Sequence, residues 1–262
     1  MTEFTALMSG LAKTADGWSA DVSDDWLQGR TTYGGMSAAL CLEGALRDLG
    51  ELPPLRSAQF AFIGPASGPL LIQPAVLRKG KSTVFASVDL IGDAGLATRA
   101  TLCFGAARKS ALAYESIPAP KVPGPDDSPQ FFRHVEGLNF TAHFDGRLAG
   151  GNMPMSNAGA PEMVLWLRHR DPDLVPNVVS LLALADAPPP AGMVLFTARA
   201  PISTMTWSIE ILSEDITTTD GWWLVRTSAE TIAQGYSSQS MTMWNSAGKP
   251  VMACRQNIAV FA

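Results

Sequence analysis

One stretch constrains the chain more than any other: Val178-Val179-Ser180-Leu181-Leu182-Ala183-Leu184-Ala185-Asp186-Ala187, with Pro188-Pro189-Pro190 directly behind it. It reads as a helix without a polar face, since only Ser180 interrupts the apolar residues before Asp186. A helix that is apolar all round has to be covered on all sides. This one is too short to span a bilayer, so the cover must be protein. The prolines stop it, because proline cannot donate to the helix and restrains the residue before it. Asp186 therefore falls in the last turn of a buried helix. Burial and the negative end of the helix dipole both disfavour its charged form there. A carboxylate so placed is either a turn residue at a helix exit or a group held for chemistry.

A second helix of the same kind lies in the first half. Tyr33-Gly34-Gly35 opens the run Met36-Ser37-Ala38-Ala39-Leu40-Cys41-Leu42-Glu43-Gly44-Ala45-Leu46, which ends near Gly50. Four strand-like segments follow, at 57–63, 70–78, 82–91 and 97–104, separated by Gly64-Pro65, Lys79-Gly80-Lys81 and Gly92-Asp93-Ala94-Gly95. The second half repeats the plan. Strand-like segments at 138–148 and 163–170 precede the helix at 174–187, and four more follow at 203–212, 222–231, 236–244 and 251–261. Laying the hairpin Asn245-Ser246-Ala247-Gly248 on Gly92-Asp93-Ala94-Gly95 pairs Ala100 with Ala253 and Cys103 with Gln256. The repeat is a duplication of a whole domain. Between the copies, Pro118, Pro120, Pro123, Pro125 and Pro129 give a linker composition. The expected division is a first domain at 1–110, a Pro-rich linker at 111–135 and a second domain at 136–262. An antiparallel sheet bent around one helix explains why both helices lack a polar face. The expected class is α+β, with two curved antiparallel sheets, each wrapped around a central helix.

Composition narrows the function. The net charge is −5 and no basic run occurs, so no nucleic-acid partner is expected. The three cysteines, Cys41, Cys103 and Cys254, are far apart and form no metal or redox motif, which fits a reducing cytoplasm. The first residues lack a signal-peptide pattern, and no apolar run reaches membrane-spanning length. A cytoplasmic protein with no membrane span is expected. There is no G-x-S-x-G elbow, dinucleotide fingerprint or P-loop. His134, His143 and His169 show no metal-ligand spacing and read as surface or structural residues.

Three polar residues remain on apolar elements of the second half. Asp186 is on the helix, Thr204 begins the strand after it, and Gln256 lies in the last strand. In a sheet that wraps its helix, these elements can converge on the helix end. A carboxylate, a hydroxyl and an amide can hold a water and aim it at a carbonyl, with the carboxylate as general base. The bland alternatives are a turn residue for Asp186, ordinary strand composition for Thr204 and a solvent-facing Gln256.

The ordering of these segments resembles the type II acyl-CoA thioesterases, which carry two hotdog domains in one chain. Trp26-Leu27-Gln28-Gly29-Arg30-Thr31-Thr32-Tyr33-Gly34-Gly35 is similar to the family's aromatic-Gly-Gly approach to its first hotdog helix. Arg56-Ser57-Ala58-Gln59-Phe60-Ala61-Phe62-Ile63-Gly64-Pro65 resembles its following strand, which ends in proline. Leu184-Ala185-Asp186, Ser203-Thr204-Met205-Thr206 and Met252-Ala253-Cys254-Arg255-Gln256 resemble the segments that carry its Asp, Thr and Gln. The resemblance runs from about residue 20 to the end. It implies a tandem hotdog fold and catalytic roles for Asp186, Thr204 and Gln256, which would activate a water for thioester hydrolysis. Two positions depart from the pattern: Gln59 stands where the family often has His, and Thr206 where it often has Asp.

The resemblance implies hydrolysis of a fatty or other acyl-CoA to free acid and CoA, with the CoA part of the substrate and no metal or other cofactor. Gly34, Gly35 and Gln59 would contact substrate, the two glycines as an oxyanion site at a helix N-terminus; the alternative for the glycines is that they only permit a tight entry to the helix. The acyl chain would lie in an apolar slot between the two central helices. Sheets with open edges make a homo-oligomer plausible. The competing readings are a non-catalytic acyl-CoA or lipid-binding hotdog protein, and a hotdog hydratase or dehydratase acting on acyl thioesters. The latter chemistry usually wants an Asp–His pair.

Overall fold

The computed structural model describes residues 1–133 and 135–261, and His134 lies outside the described residues. The first half runs α1 (Phe4–Ser9), β1 (Ala12–Thr14), β2 (Gly17–Ala20), a small hairpin of β3 (Leu27–Gln28) and β4 (Thr31–Thr32), and then α2 (Gly34–Asp48). Strands β5 (Leu55–Phe62), β6 (Leu70–Lys79), β7 (Thr83–Gly92) and β8 (Gly95–Gly105) follow. The second half holds β9 (Phe144–Gly151), β10 (Glu162–His169), α3 (Val178–Ala185), β11 (Ile202–Ile211), β12 (Trp223–Ala233), β13 (Tyr236–Asn245) and β14 (Pro250–Val260).

All neighbours in the main sheet are antiparallel, in the order β1-β2-β6-β7-β8-β5-β11-β14-β13-β12-β10-β9. Read outward from its centre, the order is the same in both halves. This is the expected tandem hotdog arrangement. The two sheets meet edge to edge, because β5 pairs with β11 from Ala61↔Thr206 to Ser57↔Glu210. Joining them removes an exposed edge from each half.

Alternation explains the strands. Val84, Ala86, Val88 and Leu90 of β7 are all buried, and the residues between them face outward or are half-buried. The helices fill the concave side. In α2, Met36 to Leu42 are buried without a break, and so are Val179 to Ala185 in α3. Each buried leucine here contributes roughly 1.5–3 kcal/mol relative to exposure. One apolar core runs through both halves and includes both helices. Asn177 caps α3, accepting from the amides of Val179 and Ser180, while the Ser180 hydroxyl accepts from the Asn177 amide. That capping box starts the helix at Val178 rather than at 174, where its apolar character begins.

α2 and α3 touch directly. The Tyr33 hydroxyl donates to the Ala183 carbonyl at 2.9 Å, and a Cβ on Gly35 would lie 2.7 Å from that same oxygen. The weakly patterned N-terminus is a strap: Asp171 accepts from both the amide and the hydroxyl of Thr5. The Pro-rich segment carries no helix or strand from 106 to 129 and lies on the outer face of the second half. Its Ile117 and Pro123 carbonyls accept from the indoles of Trp244 and Trp166, and Ile117, Ala119 and Val122 pack on the small cluster of Trp166, Trp222, Leu224 and Trp244.

Candidate active site

Asp186 caps the C-terminus of α3, with φ −86° and ψ −2°. Gln256 reaches it from β14, where Nε2 donates to Asp186 Oδ1 at 2.8 Å. The other carboxylate oxygen faces the start of α2, so a Cβ on Gly34 would lie 2.7 Å from Asp186 Oδ2. The site is thus built at the meeting of the two halves: the end of one central helix, the beginning of the other and the last strand.

Asp186 keeps a little solvent contact, but its carboxyl is crowded enough that burial pushes its pKa from 3.8 up to about 7. The Gln256 amide and, after it, the Gly35 amide pull the other way. Burial wins over two donors, which leaves a carboxyl that changes charge near neutrality, where a general base is most useful. Tyr33, stacked on Phe140 and buried, is raised well above its ordinary value by burial and by Asp186.

Thr204 shares the face of Gln256. It pairs with Ile258, two residues beyond Gln256 on β14, and Ile258 is buried on that face. A bulge between Thr204 and Thr206 breaks the regular alternation of β11 at this point. Bulges of this kind re-aim side chains beside sites. Thr204 is half-buried and, among the described residues, makes no hydrogen bond to Asp186 or Gln256. Phe62, also half-buried, borders the site: its ring lies 3.5 Å from the Cβ position of Gly34.

The structure therefore brings Asp186, Gln256, Gly34 and Gly35 together and sets Thr204 on the same face. It does not bring Gln59 there. Gln59 is exposed on the outer face of β5, between Ser208 and Thr101, because its neighbours Ala58 and Phe60 take the inward positions. Thr206 is exposed as well. The two central helices meet closely at Gly35, which is packed against the Ala183 carbonyl. Two cavities of about 460 and 400 Å³ lie elsewhere, with none of Asp186, Thr204 or Gln256 in their linings.

The duplicated position in the first half also needs correcting. Hairpin matching pairs Cys103 with Gln256. The bulges of the two halves coincide instead, at Leu77 and Glu230 and at Ala97 and Val251, so the pair Ala86↔Leu102 matches the pair Gln239↔Gln256. Leu102 is the true counterpart, and Cys103 faces the other way beside Ser57 and Phe85. The hairpins differ in length: β7 and β8 close at Gly92↔Gly95, whereas β13 and β14 end at Asn245 and restart at Pro250. Matching glycine to glycine thus slips the register.

Gln239 escaped the sequence reading. It lies directly opposite Gln256 on β13, donates from Nε2 to Gln256 Oε1 at 2.5 Å and accepts from the Ala191 amide at 2.8 Å. The period of the strand carried the signal: Met241 and Met243 are inward, so Gln239 and Ser237 are too.

The histidines stand apart. His143 stacks on Trp26 at 3.6 Å and pairs with Asp25 at 3.1 Å, both rings sealed in the core. His169 donates from Nε2 to the Ser180 carbonyl, and burial lowers its pKa to about 4. Among the described residues, no group of His, Cys, Asp and Glu is arranged to hold a metal, and no helix is long and apolar enough to cross a membrane.

Residues 22–105 match the family model of the acyl-CoA thioesterase N-terminal domain, and residues 115–260 match that of the acyl-CoA thioesterase C-terminal domain. A conserved protein of unknown function with hot dog fold from Alicyclobacillus acidocaldarius is 23% identical at a TM-score of 0.90, covering 100% of this chain and 99% of that one. A putative thioesterase II from Thermobifida fusca YX is 20% identical at a TM-score of 0.83, with 100% and 98% covered. The acyl-CoA thioesterase II TesB2 from Mycobacterium marinum is 18% identical at a TM-score of 0.77, with 97% of each chain covered. No curated protein matches the chain.

Proposed function

The chain belongs to the acyl-CoA thioesterase family, which makes it a thioester hydrolase, and from that premise we propose that it hydrolyses acyl-CoA with Asp186 as the general base. The observation that carries this reading is the carboxylate itself. It sits at the junction of the two halves, bonded by Gln256, with a pKa raised to about 7 by burial. A water held between Asp186, Gln256 and Thr204 attacks the thioester carbonyl carbon while Asp186 takes its proton. The tetrahedral oxyanion collapses, the carbon–sulfur bond breaks, and the departing CoA sulfur takes the proton back from Asp186. Free acid and CoA result, and the carboxylate is regenerated. No metal or other cofactor enters this scheme.

The N-terminal amides of α2 are donors without helical partners. The Gly35 amide serves the carboxylate, so the oxyanion role falls to the Gly34 amide in this reading. Thr204, half-buried beside the bulge, orients the water by its hydroxyl. The division of the chain into domains at 1–110 and 136–262 with a linker between, its cytoplasmic location and its association into a homo-oligomer belong to the same proposal. The hydratase reading is not favoured, because both described histidines are committed to other contacts. Incubation with a series of acyl-CoAs of increasing chain length, with detection of the released thiol, tests the activity and reads the substrate preference. Release at the uncatalysed rate across the whole series would leave only the binding-protein reading.

A further inference from the structure

We propose that Gln239 is a positioning residue of this site: it fixes which end of the Gln256 carboxamide faces Asp186. The inference rests on the reading of Asp186 as the base. A carboxamide has a donor end and an acceptor end of almost the same shape, so Gln256 could in principle present either one. Only the donor end stabilises a carboxylate.

The choice is settled at a distance, by a backbone group that can only donate. The Ala191 amide meets Gln239 Oε1 at 2.8 Å. Gln239 therefore turns Nε2 toward Gln256, where it meets Oε1 at 2.5 Å. With its oxygen occupied, Gln256 turns Nε2 to Asp186 Oδ1 at 2.8 Å. Reversing either amide would set acceptor against acceptor on one side of it and donor against donor on the other. Gln239 is 1% exposed and Gln256 3%, so water does not reopen the choice. Direct pairing of Gln239 with Gln256 across β13 and β14 holds the two amides in reach.

The anchor is fixed too. Asp186 and Ala191 are joined by Ala187-Pro188-Pro189-Pro190. Three successive prolines restrict φ and stiffen the connection. Base, two glutamines and backbone donor thus form a closed ring, and the proline run that ends α3 also sets where its far donor stands.

The consequence is measurable at Asp186. Its carboxylate is supported by Gln256 and Gly35 against burial. Tyr33 and Cys254 also feel its charge, and burial keeps both protonated. A Gln256 amide free to turn over would stabilise the carboxylate less, and Asp186 would keep its proton to higher pH.

Gln239→Met keeps length, adds no charge to the interior and cannot hold the Gln256 oxygen. Free-thiol assays across pH should show kcat lower by about tenfold, KM within about twofold, and the acidic limb of kcat/KM displaced to higher pH. In the unmodified protein, the side-chain NH₂ resonance of Gln256, assigned by its disappearance in Gln256→Met, should shift with the same midpoint as that limb. A folded Gln239→Met with wild-type kcat and an unmoved limb overturns the positioning role, as does a slower variant whose limb stays in place. An NH₂ resonance indifferent to that titration overturns it without any variant at position 239. Asp186→Asn, assayed alongside, separates the two claims: if it keeps wild-type turnover, the base itself is misassigned.

Discussion

Gln256 Nε2 lies 2.8 Å from Asp186 Oδ1, and that bond joins the last strand of the chain to the end of a helix 70 residues earlier. Around it, the beginning of the other central helix closes in on the second carboxylate oxygen. The carboxylate is therefore both crowded and supported, and each aspect makes a separate prediction.

Crowding predicts a particular pH dependence of stability. Folding raises the pKa of Asp186 from 3.8 to about 7. Between those values the folded protein holds a proton that the unfolded chain has lost. Stability from this group is complete below the lower value, falls as pH rises through the window, and is gone above about 7. Denaturant unfolding near pH 4.5 and near pH 8 should show that decline, and Asp186→Asn should flatten it. An unchanged decline in the Asn variant would place its origin elsewhere.

The two glycines predict a division of labour. Gly34→Ala puts a methyl 2.7 Å from Asp186 Oδ2, so the carboxylate has to move. Turnover should fall by about tenfold or more, with a small change in melting temperature. Gly35→Ala instead meets the Ala183 carbonyl and the Tyr33 ring, each at 2.7 Å, at the helix contact. It should lower stability by about 1–3 kcal/mol. Equal thermal losses in the two variants would refute the distinction.

Thr204 and Gln256 should slow the chemical step and leave substrate binding nearly intact. Thr204→Val keeps shape and removes the hydroxyl, and kcat should fall by about tenfold with KM within about twofold. Gln256→Ala removes the carboxylate's side-chain donor and should cost more. A Thr204→Val variant with wild-type kcat would release Thr204 from the mechanism.

Cys103 should be dispensable. It faces outward beside Ser57 and Phe85, and Leu102 occupies the place that Gln256 holds in the other half. Cys103→Ala should keep turnover within about twofold. A hundredfold loss in a folded variant would mean that Cys103 takes part in the chemistry.

Much of this was legible in the sequence, for physical reasons. Both central helices show because a helix buried on every side cannot hide its composition. The four-strand series after each shows because turns and alternation punctuate it. Asp186 and Gln256 stand out as polar residues on apolar elements, and the structure joins them. What escaped depends on register. Gln59 is a candidate only through the family resemblance, and the alternation of β5 turns it to solvent. Cys103 was matched through hairpins of unequal length. Gln239 sits in Ser237-Ser238-Gln239-Ser240, which looks like a solvated strand until the buried Met241 and Met243 fix its inward face. The contact of α2 with α3 depends on a missing side chain at Gly35, and a glycine before a helix carries no sign of what it touches.

The most direct test of the account is kcat for acyl-CoA hydrolysis by Asp186→Asn, measured beside the pH profile of the unmodified protein. Asn keeps the size of the side chain and an oxygen for Gln256, but it cannot take a proton from water. The account predicts a loss of roughly 10²–10⁴-fold in a folded variant. It also predicts a wild-type kcat/KM that rises with pH through about 7, as the carboxyl ionises. A folded Asp186→Asn protein that turns over acyl-CoA at the wild-type rate would contradict it.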